Sequence, residues 1–159
     1  MSKLLLPIGM IGSGKSTWAR KYIKEHPNTM IVGGDEIRFM LHGGEYVHDE
    51  ASEHVVQKIL LDAAERLLLN GYDVILDECY CSLNREMRAR VANMLCMTEF
   101  IAVVFPEREM KDHIDDKILK GLRGKTVNYW KRVFCEMKEI YEMFLPTEEY
   151  FSDAIYVEN

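Results

Sequence analysis

The apolar run Leu4-Leu5-Leu6-Pro7-Ile8 passes directly into Gly9-Met10-Ile11-Gly12-Ser13-Gly14-Lys15-Ser16-Thr17, a complete G-x-x-x-x-G-K-[ST] element. A buried strand, a glycine-rich turn and an amphipathic segment in that order leave few folds open. Gly9, Gly12 and Gly14 allow the backbone around Ser13 to curl with its N–H groups pointing inward at an anion. Lys15 then reaches the outer phosphates as a point charge, and the Ser16 hydroxyl is placed as a magnesium ligand. A helix that starts at Lys15-Ser16-Thr17 turns its positive dipole end toward the same anion. The spacing implies a site for ATP with Mg2+.

The rest of the chain alternates strand and helix patterns. Met30-Ile31-Val32, Val74-Ile75-Leu76, Phe100 to Phe105 and Ala154 to Val157 read as further short strands. Between them the pattern predicts helices over Ser16–Glu25, Asp35–Leu41, Ala51–Asn70, Asn84–Cys96, Glu107–Leu119 and Tyr129–Phe144, with Gly71 and Pro146 as stops. In the longest, Val55, Val56, Ile59, Leu60, Ala63 and Leu67 are expected to share the apolar face. In the last, Trp130, Val133, Phe134, Met137, Ile140, Tyr141 and Phe144 recur at helical spacing. Such alternation predicts an α/β fold, a parallel sheet of about five strands with helices on both faces. A single domain over residues 1–159 is expected, because no repeat or Pro/Gly/Ser-rich linker divides the chain.

Composition narrows the partners. With 26 acidic against 20 basic residues the chain is not built to coat nucleic acid electrostatically, though gripping a strand end remains open. No apolar run approaches a membrane span and no leader is visible. Cys79, Cys81, Cys96 and Cys135 show no metal-binding spacing, which predicts reduced thiols in a cytoplasmic protein. His42, His48, His54 and His113 are read as scattered, and Met87, Met94, Met97 and Met137 as core fillers or surface residues. Oligomerisation is left open.

Three further places carry candidate chemistry. Asp35 follows the second strand, where ligands gather in open α/β sheets, and Arg38 lies one helical turn on. Asp35 as general base and Arg38 as a clasp for an acceptor phosphate suit a hydroxyl-bearing acceptor; capping of the helix is the plain alternative for Asp35. Val74-Ile75-Leu76-Asp77-Glu78 is an apolar strand that closes on carboxylates. There Asp77 is expected near magnesium, Ser16 or Lys15, and Glu78 either beside an attacking water or at a solvent-facing strand end. From Lys117 to Arg132 the chain has six basic residues and no acidic one. Gly121 and Gly124 flank Leu122-Arg123 there, a pattern for a short basic lid that aims Arg123 at a transferring phosphate. Lys117 and Lys131 are expected to be solvated, and Arg85, Arg88 and Arg90 to decorate a helix surface.

With these elements in order, the chain resembles the kinase domain of phage-type polynucleotide 5′-kinases. The match is densest over Leu6 to Arg20, LPIGMIGSGKSTWAR, and looser through Asp35-Glu36-Ile37-Arg38, Val74 to Asp77 and Ala102 to Pro106. The resemblance implies a P-loop kinase fold and ATP- and Mg-dependent transfer to a 5′-hydroxyl end of DNA or RNA. Lys15 and Ser16 would then hold ATP and magnesium, Asp35 would activate the hydroxyl, Arg38 would contact the terminal nucleotide's phosphate, and Arg123 would touch the ATP phosphates. Where the family runs Asp-x-Thr-Asn, this chain has Asp77-Glu78-Cys79-Tyr80; Arg123 stands alone among lysines in the lid, and the D-x-D-G-T phosphatase motif is absent. A small-molecule kinase and a P-loop ATPase switch are the competing readings.

Overall fold

The computed structural model describes residues 2–96, 99–147 and 150–158; the expectation for Met97 falls outside them. Five strands form one all-parallel sheet in the order β2-β3-β1-β4-β5. They are β1 (Lys3–Ile8), β2 (Thr29–Gly33), β3 (Asp73–Asp77), β4 (Glu99–Val104) and β5 (Asp153–Tyr156). The helices are α1 (Lys15–Glu25), α2 (Gly34–Leu41), α3 (Glu50–Leu69), α4 (Arg85–Met94), α5 (Met110–Leu119) and α6 (Val127–Ile140).

Side-chain alternation along the strands explains the two-sided covering. Leu4, Leu6 and Ile8 of β1 join Val74, Leu76, Phe100 and Ala102 on the face covered by α3 and α4, where Val56, Leu60, Ala64 and Val91 pack. Leu5, Ile75, Ile101 and Val103 point the other way, onto Ala19 and the Trp18, Tyr22 and Ile23 side chains of α1. A third apolar cluster ties α5 and α6 to the carboxyl end of the sheet through Met10, Ile11, Leu83, Ile114, Trp130 and Phe134. Of the strands that carry the site, β1 is central, β3 adjoins it, and β2 is an edge strand paired along its length with β3, so the carboxyl ends of β1 and β3 are fixed by the core.

Helix ends follow local chemistry. Asp49 caps α3 by accepting from the Ser52 N–H at 3.0 Å. At the other end Gly71 takes φ +82, with Gly71 N–H bonded to Leu68 O and Tyr72 N–H to Leu67 O. That is the paired bonding of a left-handed helix stop.

Four expectations are corrected. The apolar face of α3 is rotated: Val56, Leu60, Leu61, Ala64 and Leu68 are buried, while Val55 is exposed. The fifth helix starts at Met110, not Glu107, because Arg108 turns away to the glycine-rich loop, donating to Gly12 O at 2.7 Å. The last helix stops at Ile140, not Phe144. The segment behind it is drawn onto the start of α4, with Glu142 N–H on Leu83 O at 2.7 Å and Arg88 on Glu142 O at 3.0 Å. Arg88 is consequently fully buried, donating also to Ser82 O at 2.8 Å, and is not the surface residue expected.

Candidate active site

The loop after β1 is closed by its own lysine. Lys15 Nζ donates to Gly9 O at 2.9 Å, Met10 O at 2.7 Å and, at the limit of hydrogen-bond length, Ser13 Oγ at 3.4 Å. Two glycines are required for different reasons. Gly12, at φ +66, lies so close to α5 that a Cβ would stand 2.2 Å from His113 O. Gly14 takes φ +92 with open space around it, so there only the backbone conformation excludes side chains.

Support for this loop comes from residues the sequence reading passed over. Arg108 Nη2 donates to Gly12 O and to Asp116 Oδ2, at 2.7 and 2.8 Å, and so ties the loop to α5. His113, read as scattered, is fully buried against the loop. Burial, then the charges of Arg108 and Lys15, hold its pKa below the usual histidine value, so it stays neutral at pH 7. A signal was available in the i, i+1, i+4 spacing of His113, Ile114 and Lys117, the buried residues of α5.

Across a cavity of about 620 Å3, shared by Lys15, Ser16, Asp77 and Arg123, stands the start of α2. Gly33 is the N-cap of α2 and no side chain caps it, so Asp35 is not a capping residue. Its carboxylate instead meets two guanidiniums: Oδ1 accepts from Arg38 Nη1 at 3.0 Å, and Oδ2 pairs with Arg123.

Arg38 is 2% exposed and surrounded by carboxylates. Glu53 accepts bidentately from Nε, at 3.2 Å, and from Nη2; Glu78 Oε2 lies 2.9 Å from Nη1. Of the five N–H donors of a guanidinium, Glu53 and Asp35 take three as hydrogen bonds, and Glu78 adds an ion-pair contact at Nη1. Burial opposes the charge on Arg38, but Glu53 and Glu78 more than offset it and raise its pKa. Glu53 is held below the usual carboxylate range by Arg38 despite partial burial, whereas deeper burial pushes Glu78 up. Glu78 also accepts from the Tyr80 N–H at 3.2 Å, and it is buried, not at a solvent-facing strand end.

Arg38→Ala is therefore expected to be first a stability variant. It leaves Glu78 and Glu53 without their cation, a loss of about 3–5 kcal/mol for a broken buried pair. Because the Glu78 pKa is raised above its unfolded value, the folded state binds more protons, and stability falls as pH rises through that interval. Urea midpoints for the variant should accordingly recover toward pH 5 relative to pH 8. An unchanged midpoint at pH 8 would show that the carboxylates do not need Arg38.

Arg123 reaches Asp35 from an unusual backbone. Gly121, Leu122, Arg123 and Gly124 all have positive φ, at 78, 56, 50 and 74 degrees. Left-handed geometry costs about 1–2 kcal/mol at each non-glycine residue. Trp130 Nε1 holds the turn by donating to Leu122 O at 2.8 Å, and the guanidinium carbon sits 5.6 Å from the Tyr46 ring centre and 5.9 Å from that of Phe39. Burial and the nearby Arg20 lower the Arg123 pKa, so an anion at this place is favoured. Lys117, expected to be solvated, is 8% exposed in the same cavity.

Among the described residues no cluster of His, Cys, Asp or Glu forms a metal cage by itself. Ser16 and Asp77 do line the cavity together, a donor set that fits magnesium carried in by phosphates, which keeps several waters and takes one or two protein oxygens. No helix among the described residues is long and apolar enough to cross a membrane.

Known proteins place this architecture. The structure of the Pnkp1/Rnl/Hen1 RNA repair complex is similar with a TM-score of 0.66 at 24% identity over 89% of this chain, which spans only 47% of that one. A fungal RNA kinase gives a TM-score of 0.66 at 15% identity, over 99% of this chain and 75% of its own. Kti12 of Chaetomium thermophilum, solved with ADP-AlF3, gives 0.67 at 16% identity over 97% and 88%. At such identities the likeness speaks for the fold. The family model described as "AAA domain" matches residues 4–143, and the chain thus belongs to that family.

Proposed function

We propose that this protein is an ATP- and Mg-dependent kinase that transfers the γ-phosphate of ATP to the 5′-hydroxyl end of a nucleic acid. The observation that carries this reading is the placement of Asp35 across one cavity from the Lys15–Ser16 loop, with Arg123 reaching in between. Lys15, once its contacts to loop carbonyls are exchanged for phosphate oxygens, binds the outer phosphates; Gly9, Gly12, Ser13, Gly14 and Thr17 complete the loop. Ser16, with Asp77 nearby, would hold magnesium, which when bound would neutralise charge on the phosphates. Asp35 takes the proton of the acceptor hydroxyl as its oxygen bonds to the γ-phosphorus. The bond from that phosphorus to the bridging oxygen breaks, and ADP leaves. Arg123 stabilises the charge on the transferring group. Arg38 orients Asp35, and its second Nη2 N–H is available to an acceptor phosphate.

That last count favours a second reading. With three N–H donors hydrogen-bonded to carboxylates and Glu78 in ion-pair contact, Arg38 grips an acceptor phosphate weakly, which suits a small hydroxyl acceptor without one. Water activation by Glu78, as a hydrolytic switch needs, loses support because that carboxylate is committed to Arg38 and the Tyr80 N–H.

Labelled γ-phosphate is expected to appear on a 5′-hydroxyl oligonucleotide and not on free nucleosides; the reverse result transfers the assignment to a small-molecule kinase. ATP with magnesium should raise the melting temperature, since a ligand at a hundredfold excess over its dissociation constant stabilises by about 2.7 kcal/mol. Lys15→Ala should remove most of that increment. A folded wild type without any shift at millimolar ATP would refute nucleotide binding.

A further inference from the structure

Lys117 is a buried cation that the proposed chemistry leaves without a task. It lies on the inner face of α5 beside His113 and Ile114, the other buried residues of that helix. Its ammonium stands 4.1 Å from the centre of the Trp130 ring. Among the described residues no carboxylate or carbonyl pairs with it by hydrogen bond or salt bridge. It lines the same cavity as Gly12, Ser13, Lys15, Ser16 and Asp77. A largely desolvated ammonium that faces the cavity without a hydrogen-bonded counter-charge is costly unless an anion completes it.

We propose that Lys117 is a second phosphate-binding cation of the nucleotide site, presented by the Trp130 ring toward the triphosphate held by the Lys15 loop. The inference rests on the nucleotide-binding reading above and is independent of which acceptor is used. Two residues thereby gain a joint role. Trp130 fixes the lid turn through its indole N–H on Leu122 O and cradles the Lys117 ammonium on its face, so lid and cation are placed by one side chain. Other groups around Lys117 are consistent with an anion site. Burial, with Lys15 and Lys120, pushes its pKa down to about 8, while Cys79 and Asp77 act the other way. Phosphate oxygens brought next to it favour the charged form further.

The predicted signature is a pair of opposite changes. Lys117→Met keeps an unbranched apolar stem over the ring and deletes the unpaired charge. The variant without ligand should melt a few degrees higher than wild type, because a buried uncompensated charge is gone. Its dissociation constants for ATP and for inorganic tripolyphosphate should rise about ten- to a hundredfold, the loss of one charge-assisted hydrogen bond. A separate Trp18→Phe variant with Lys117 intact leaves Trp130 as the sole tryptophan, and its emission should change when tripolyphosphate draws the ammonium from the ring. This fluorescence measurement stands even if the Met variant does not fold. Tripolyphosphate binding as tight in a folded Lys117→Met protein as in wild type, or a Trp130 emission indifferent to bound tripolyphosphate, overturns the proposal for Lys117 alone. A wild type that binds neither ATP nor tripolyphosphate overturns the nucleotide reading and, with it, this one.

Discussion

Asp35→Asn is expected to lower turnover by about a hundredfold to ten-thousandfold, the usual contribution of a positioned general base, while ATP binds nearly as in wild type. The structure makes this a cleaner experiment than the sequence suggested. An N-cap aspartate and a general base would be hard to separate if one residue did both, but the cap of α2 is Gly33 and no side chain serves there. Asparagine keeps an acceptor oxygen for Arg38 Nη1, and Arg38 retains Glu53 and Glu78, so the charge that loses its carboxylate is Arg123, which lines the cavity. The stability cost should accordingly stay within about 1–2 kcal/mol. What disappears is the carboxylate that accepts the hydroxyl proton. Turnover on a 5′-hydroxyl oligonucleotide, set beside ATP affinity and thermal melting, reads all three. Wild-type turnover in the variant would show that Asp35 only organises its two arginines.

The contrast between Asp35 and Arg38 marks where local sequence stops being informative. Strand and helix patterns were legible because burial alternates with fixed periods: β1 through β5 all lie where apolar runs end at glycine, proline or carboxylate. The glycine-rich loop was legible because its backbone demands are local, as at Gly14. Positions that depend on distant partners were not. Glu53 sits on α3, 15 residues from Arg38, and Glu78 reaches the same guanidinium from the end of β3. Nothing in the local pattern distinguishes Glu53 from Glu50 or Glu45, because the choice is made by how α3 crosses α2. Arg88 and Lys117 were missed for the same reason. A lysine or arginine on an amphipathic helix defaults to solvent, and only tertiary packing shows that Arg88 faces carbonyls and Lys117 faces Trp130. The end of α6 followed the same rule: the helical pattern continues past Ile140, but Leu83 and Arg88 bind the chain at Glu142 and pull it straight.

Arg123→Ala is expected to reduce turnover by about a thousandfold or more, the scale of a transition-state arginine, with a much smaller change in ATP affinity. The geometry offers two roles for this side chain, and they predict opposite results. Arg123 ends on Asp35, so it either lends charge to the transferring phosphate or merely neutralises the base. If neutralisation were its task, alanine would free Asp35, and turnover would hold or rise. If it moves onto the γ-phosphate as charge builds there, alanine removes an interaction present mainly in the transition state, so kcat falls while KM for ATP changes little. The backbone does not confuse the comparison. Alanine at φ +50 bears the same left-handed strain as arginine, and Trp130 still holds Leu122 O. Arg123→Lys should rescue poorly, because a point charge cannot span Asp35 and two phosphate oxygens as a planar fork does. Steady-state kcat and KM for ATP, measured for both variants with a saturating acceptor, separate the roles. Turnover in Arg123→Ala at or above the wild-type rate would reduce the arginine to a plug over the base.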